Sequence, residues 1–203
     1  MPKRFTTQMY IYFLPTSSST PLSGSSQASS GDAEDLEPEI KIPNPTPDGG
    51  KEHTTARFLP ASAWLRLAQE GRIILFPPQF FLLHQVAQHF DQLKAPTDYA
   101  SISRDAVSRD ELERRRQSLR KFVQTGDPPW TEMCMSPTPQ RMKREDGRAV
   151  LGLEWPGPEV EKSGGDRKGI WEQCVLVDFT KEGPRRVAVV SREKVLGGGE
   201  AKL

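Results

Sequence analysis

The chain has 203 residues, which is within the size of one ordinary domain. It contains 35% hydrophobic residues and 18 prolines, so we expect a modest core and long connecting segments. Its 28 Lys and Arg residues against 27 Asp and Glu residues give a formal net charge of +1, which argues against a dedicated nucleic-acid or membrane-surface binder, and no apolar run is long enough to cross a bilayer.

The first predicted element is a strand over residues 5–14, a stretch rich in β-branched and aromatic residues. Apolar or aromatic side chains occupy both of its faces, a pattern typical of a central strand that is covered on both sides. Such a strand needs a neighbour on each edge, and the residues before Phe5 are too few to supply one, so we expect part of the fold to be missing upstream. Lys3 and Arg4 are not followed by the apolar region of a signal peptide.

Residues 16–48 have a different composition. The segment is rich in serine up to Ser30, then acidic from Asp32 to Glu39, then rich in proline from Pro43 to Pro47. Such a stretch cannot bury enough apolar surface to offset the entropy lost on ordering it. We therefore predict a disordered insertion between two strands.

Regular structure is predicted to resume after Gly50. A strand over residues 52–59 leads to a helix that Pro60 opens and Gly71 ends, with Ala61, Trp64, Leu65 and Ala68 on its apolar face. A short strand at residues 72–76 precedes a second helix that starts at Pro77. The predicted apolar face of this helix consists of Leu82, Leu83, Val86, Phe90 and Leu93.

The second half of the chain is predicted to contain one more helix and three strands. Ser108 and Glu111 form a capping-box pattern for a helix that runs to about Val123, with Leu112, Leu119, Phe122 and Val123 as a narrow apolar stripe. Strands are expected at residues 150–153, 174–179 and 186–190, with a turn at Gly183 and Pro184 between the last two. Cys134 and Cys174 are too few for a disulfide framework or a structural zinc site, and we expect two buried thiols.

Several blocks together resemble one branch of the Nudix hydrolases, the branch that contains the peroxisomal coenzyme A diphosphatases. They are RFTTQMYIYFLP at residues 4–15, DGGKEHTTA at 48–56, RFLPASAWL at 57–65 and GRIILFPPQ at 71–79, with a looser similarity over 126–195. The resemblance implies an α/β fold, an incomplete Nudix-type α/β/α sandwich around a mixed sheet. Its parts would be an opening strand at 1–15, the disordered insertion at 16–48, the rest of the domain at 49–195 and a flexible tail at 196–203.

The catalytic motif of that family is missing from the sequence. The family uses Gly-x5-Glu-x7-Arg-Glu-U-x-Glu-Glu-x-Gly-U, where U is apolar, and its carboxylates share one helix face to hold Mg²⁺ or Mn²⁺. The candidates Arg144-Glu145, Arg192-Glu193 and Arg109-Asp110 each lack the acidic residues that should follow. We therefore assign no catalytic or metal-binding residue to the chain, although the resemblance implies Mg²⁺ or Mn²⁺ for a complete family member.

The last three residues, Ala201, Lys202 and Leu203, are a variant of the Ser-Lys-Leu signal that the peroxisomal import receptor reads. The glycine-rich stretch before them would leave this end accessible. Beside the resemblance to a branch with peroxisomal members, the tripeptide predicts a peroxisomal location and the import receptor as a partner. The alternative is a chance Lys-Leu ending on a cytoplasmic protein.

Other residues invite a functional interpretation but have a simpler one. His84 and His89 are five positions apart, about 140° around a helix axis, so they are not expected to share a zinc ion. Glu52 and His53 would border the substrate cleft of the parent fold, but a polar strand edge is the favoured interpretation. Six basic residues cluster in the third helix, but acidic residues interleave with them, as on a solvated face. We expect Trp64, Trp130, Trp155 and Trp171 to pack rather than to stack on an adenine.

Two functions remain in competition. In the first, the chain is the C-terminal portion of a hydrolase whose complete form cleaves a nucleoside diphosphate-linked substrate such as coenzyme A or acyl-CoA, and is inactive alone. In the second, it is a non-catalytic peroxisomal module that binds a partner or a nucleotide. A basic nucleic-acid binder is disfavoured by the near-zero net charge.

Overall fold

The computed structural model describes residues 9–11, 13, 57–91, 93, 98–99, 107–162 and 167–196. The chain divides into two compact units, Met1–Arg57 and Phe58–Leu203. In the first unit, Met9, Tyr10 and Ile11 are each more than half exposed, and neither they nor Phe13 lies in a strand. The strand predicted over residues 5–14 is therefore not formed at these positions, because β propensity measures how well a residue fits a sheet and does not supply the neighbouring strand. The predicted insertion at 16–48 lies outside the described residues.

The described residues of the second unit form helices and a four-stranded sheet, which confirms a mixed α/β class. Its elements in chain order are α1 (Ala61–Gln69), α2 (Pro77–Phe90), α3 (Arg109–Gln124), a 3-10 turn (Trp130–Glu132), β1 (Thr138–Lys143), β2 (Ala149–Leu153), α4 (Pro158–Lys162), β3 (Ile170–Thr180), β4 (Gly183–Ser191) and α5 (Arg192–Leu196).

The sheet is a four-stranded meander in the order β1-β2-β3-β4, and every pairing is antiparallel. The predicted strands at 150–153, 174–179 and 186–190 are confirmed as β2, β3 and β4, and the predicted turn joins the last two. The mixed sheet expected from the resemblance is not what the described residues form. Residues 57–59 and 72–76 were predicted to be strands and are not, and β1 was not predicted.

The inner face of the sheet carries the main core. Alternate residues of β2, β3 and β4 point toward α1 and α2, as the two-residue period of a strand requires; they are Leu151, Leu153, Val175, Val177, Val187 and Val189. Leu65 of α1 and Phe80 of α2 are fully buried against them. Each such side chain contributes roughly 1.5–3 kcal/mol by leaving water, so this layer dominates the stability of the unit.

The helix boundaries follow the predicted start and stop residues. Pro60 precedes α1, and Gly71 follows its C-cap with a φ of +72°, a conformation that glycine adopts without strain. Pro77 starts α2, and Ser108 Oγ accepts a hydrogen bond from Glu111 N at 3.2 Å at the start of α3. These three helices are confirmed because their signals are local.

The buried face of α2 differs from the prediction. Phe80, Phe81, His84 and Ala87 are buried, whereas most of the predicted stripe is only half-buried. The hydrophobic pattern of the sequence did not predict this face, because the face includes the polar residue His84. Its ring is accommodated in the core by a hydrogen bond between Nδ1 and Tyr99 Oη, 2.7 Å apart.

The outer face of the sheet carries a smaller core. Val150, Cys174 and Leu176 point to this side and pack with Val195 of α5. The five-residue helix α5 therefore holds the chain after β4 against this face. It also begins with Arg192, a buried charged residue.

Candidate functional site

The most constrained polar cluster in the described residues lies on the outer face of the sheet. Glu154 follows the last residue of β2, and Arg192 is the first residue of α5. Arg192 Nη2 donates to Glu154 Oε2 at 2.5 Å, and only 9% and 11% of the two side chains are exposed. An ion pair with so little access to water needs further hydrogen bonds to offset the loss of hydration.

Those further contacts come from β3 and β1. Arg192 Nε donates to the carbonyl of Trp171 at 2.6 Å, and its guanidinium lies 3.9 Å from the centre of the Trp171 ring. Gln140 Nε2 donates to Glu154 Oε1 at 3.4 Å. The cluster thus joins β1, the chain after β2 and the start of β3 to the first turn of α5.

Gly152 makes room for this cluster. A Cβ atom at this position would lie 2.3 Å from Gln140 Nε2 and 2.3 Å from Glu154 Oε2, which is closer than atoms can approach. A side chain at position 152 would therefore make the flexible ends of the Gln140 and Glu154 side chains shift.

A groove lies beside the cluster, along β1. Its volume is about 480 Å³, and its walls are five consecutive residues from Thr138 to Met142 together with Trp155. Trp155 is 54% exposed, and its carbonyl accepts a hydrogen bond from Ser136 N at 2.8 Å, which ties the chain after β2 to the chain before β1. The arrangement offers an apolar wall and a strand edge, features that suit binding.

The two histidines occupy separate places. Burial lowers the pKa of His84 to about 4 and raises the pKa of Tyr99, its hydrogen-bond partner, so both are neutral near pH 7. His89 Nδ1 instead lies 2.9 Å from Ser118 Oγ of α3. The two histidines therefore contact different partners.

Two acidic residues of α3, Glu111 and Glu113, lie beside arginines of the same helix. Glu111 contacts Arg114 and Arg115, each at 2.8 Å, and Arg115 also donates to the carbonyl of Phe90 on α2. Glu113 lies 3.8 Å from Arg116. These ion pairs account for much of the basic cluster as contacts within and beside the helix.

The three partial matches to the Nudix motif lie in three different elements. Arg144-Glu145 is in the turn between β1 and β2, Arg192-Glu193 begins α5, and Arg109-Asp110 begins α3. Within the described ranges, no three His, Cys, Asp or Glu residues come together as a metal site. Guanidinium groups already neutralise Glu111 and Glu154, so these two carboxylates do not fit Mg²⁺ or Mn²⁺ as they are placed.

Several predicted residues fall outside the described part of the chain. Glu52 and His53, and the tripeptide Ala201, Lys202 and Leu203, all lie there.

The expectation of buried thiols holds for Cys174, whose pKa is raised chiefly by burial. Cys134 is half-buried, and its thiol lies 3.6 Å from the carbonyl oxygen of Pro156.

The tryptophans divide into two pairs. Trp130 packs as predicted, stacked on Phe81 at 5.8 Å between ring centres, and Trp64 is half-buried. The prediction of packing is wrong for Trp155 and Trp171, which are 54% and 59% exposed. Trp155 lies two residues after the end of β2, and Trp171 is the second residue of β3. Sequence reasoning also missed Arg192 with Glu154, because 38 positions separate them and only the strand register brings them together.

Comparisons with protein-family models, with curated proteins and with solved structures give no match. Among the helices that the structure describes, none has the length and apolar character needed to cross a membrane.

Proposed function

We propose that the chain is the C-terminal portion of a Nudix-type hydrolase and does not cleave a diphosphate by itself. The complete form would act on a nucleoside diphosphate-linked substrate such as coenzyme A or acyl-CoA, with Mg²⁺ or Mn²⁺ bound by residues outside this chain. In this proposal, the described unit supplies part of a scaffold, an incomplete form of the α/β/α sandwich, and the peroxisome is its location.

The kinship part of the proposal is supported by the blocks at residues 57–65 and 71–79. In the structure, the first leads into α1 through Pro60, and the second leads into α2 through Pro77. Both helices cover one face of the sheet. Helices on a sheet face are what a layered α/β hydrolase scaffold requires.

The absence of activity is supported by the state of the carboxylates, and this observation carries the proposal. Glu111 and Glu154 are each paired with arginine at 2.8 Å or less, and Glu113 lies beside Arg116. A divalent cation would have to displace these guanidinium groups and would be repelled by their charge. Hydrolysis of a phosphoanhydride needs the metal to neutralise the diphosphate and to activate water.

The test is an assay of the purified, monodisperse full chain with coenzyme A and Mg²⁺ or Mn²⁺. We expect no metal-dependent release of 3′,5′-ADP. Circular dichroism on the same sample establishes that the protein is folded. Metal-dependent release that Asp110→Ala or Glu113→Ala abolishes, while Glu145→Ala does not, would contradict the proposal and place a metal site on α3.

The origin of the chain has its own test. The coding DNA upstream of Met1 is read for an in-frame Nudix motif. Finding the motif supports a piece of a hydrolase. Unrelated sequence there supports the alternative, a non-catalytic peroxisomal interaction or nucleotide-binding module, which the exposed rings of Trp155 and Trp171 favour. Calorimetric titration with coenzyme A then distinguishes a nucleotide-binding module, which shows saturable binding without cleavage.

A further inference from the structure

β1 is an edge strand with a groove along it. In the order β1-β2-β3-β4, the strand pairs with β2 on one side, and no other described strand pairs with its second side. Five consecutive residues from Thr138 to Met142 line the groove. At about 3.4 Å per residue, this wall is about 17 Å long, which suits an extended chain better than a compact small molecule.

Exposed apolar side chains line part of the groove. Trp155 is 54% exposed and Met142 is 39% exposed, although both side chains are large and apolar. Both line the groove, and Pro139 adds a further apolar surface. An aromatic ring beside a strand edge gives a bound peptide a surface for alternate side chains, while main-chain hydrogen bonds to the edge supply affinity.

The charge along this edge is positive. The segment from Thr138 to Arg148 contains four basic residues, Arg141, Lys143, Arg144 and Arg148, and two acidic ones, Glu145 and Asp146, so its formal charge is 4 − 2 = +2. Arg148 is paired with Asp146 at 2.7 Å. Arg141 is exposed and lines the groove itself.

We propose that the groove beside β1 binds an extended acidic peptide of a protein partner, which adds as a strand to the sheet edge and packs against Trp155. Pro139, the basic residues and the irregular register between Pro139 and Lys143 disfavour pairing with an arbitrary apolar strand. An acidic strand is the partner for which the basic residues are attractive instead of repulsive. None of the residues that line the groove supports the hydrolase proposal, so a failure of either proposal leaves the other unaffected.

The experiment measures fluorescence anisotropy of a fluorescein-labelled peptide titrated with the full chain. The peptide has about ten residues, enough to exceed the groove, and alternates glutamate with valine and threonine. The comparison peptide has lysine in place of each glutamate. We expect saturable binding of the acidic peptide and none of the basic one, with affinity that falls as salt increases.

Two variants locate the site. Trp155→Ala and Arg141→Glu should each weaken binding of the acidic peptide at least about tenfold, and Arg141→Glu should favour the basic peptide more than the unmodified chain does. The matched control is Arg185→Glu, the same charge change on β4 at the opposite edge of the sheet. It should leave binding unchanged.

Several outcomes would overturn the proposal. They are absence of saturable binding by folded protein, equal loss with Arg141→Glu and Arg185→Glu, and unchanged affinity in a folded Trp155→Ala variant. Light scattering after gel filtration tests whether a second copy of this chain occupies the groove instead. A dimer that Trp155→Ala dissociates would assign the groove to a second copy of this chain.

Discussion

Arg192 and Glu154 form a buried ion pair, and breaking it is expected to cost stability. About a tenth of each side chain is exposed, and the guanidinium also contacts the carbonyl and the ring of Trp171. Removing the charge of one partner leaves the other buried and uncompensated, which is far more destabilising than the loss of an exposed ion pair.

We therefore expect Glu154→Gln to lower the free energy of unfolding by about 3 kcal/mol. Glutamine keeps the shape and a hydrogen-bonding oxygen, so the loss reports the charge. Urea denaturation of the full chain measures it. The control is Glu70→Gln, which removes a carboxylate that is 46% exposed beside Arg66 and Arg72 and should change stability by less than about 1 kcal/mol. Equal effects of the two substitutions would contradict the inference that the buried ion pair contributes more to stability than the exposed one.

His84 predicts a pH dependence. Burial lowers its pKa from 6.5 to about 4, so the unfolded chain binds a proton at this site before the folded chain does. Above pH 6.5, both states are neutral and the group has no effect. As pH falls from 6.5 to about 4, stability declines because protonation favours the unfolded state, and the loss at this site reaches about 3 kcal/mol.

The measurement is urea denaturation across pH 4 to 7. The stability of His84→Gln should depend less steeply on pH than that of the unmodified chain, because the titrating group is gone. His89→Gln is the comparison, since His89 is half-buried and the pKa of its ring is lowered by burial to a lesser extent. Parallel pH profiles for His84→Gln and the unmodified protein would show that folding does not lower the pKa of His84.

At the scale of the element, sequence reasoning succeeded where the signal was local. Pro60, Pro77 and Ser108 each start a helix within a residue of the predicted position, and Gly71 follows the end of α1. Strands β2, β3 and β4 were found because their apolar runs are bounded by turn residues. β1 was missed because Thr138–Lys143 contains a proline, a glutamine and two basic residues but no apolar run, and its strand character comes from pairing with β2.

The candidate site could not be predicted from the sequence for the same reason. The groove exists because β1 pairs with β2 and places Gln140 near Glu154, and the ion pair exists because β4 returns beside β3 and brings α5 to the outer face. These contacts are set by strand register, which the sequence of each segment does not contain. The exposure of Trp155 and Trp171 could not be predicted from the sequence either, because tryptophan is a large apolar side chain that is usually buried for the most part.

The N-terminus of α3 allows a direct test of a local signal. Ser108→Ala removes the oxygen that accepts from Glu111 N, so we expect a loss of about 1 kcal/mol in the free energy of unfolding. Ser108→Asn keeps an acceptor at the cap and should retain most of the stability. Urea denaturation followed by circular dichroism compares the two. If alanine is tolerated as well as asparagine, the cap does not contribute to stability.

At the scale of the whole molecule, the two faces of the sheet differ in what they carry. The inner face packs on α1 and α2 and contains the larger core. The outer face carries the smaller core with α5, the Arg192 cluster and, at the β1 edge, the groove. Proposed binding therefore lies away from the layer that contributes most to stability, so substitutions in the groove can be tested without unfolding the unit.

Location in the cell is a property of the whole chain, and the sequence predicts it from three residues. We propose that Ala201, Lys202 and Leu203 act as a variant of a receptor-read C-terminal signal, which requires a free terminus and its final leucine. A fluorescent protein fused to the N-terminus should give punctate fluorescence that coincides with a peroxisomal marker. Deletion of Leu203 should disperse it, whereas Ala201→Ser, which restores the common form of the signal, should not. Punctate fluorescence that survives the deletion would mean that another part of the chain directs its location.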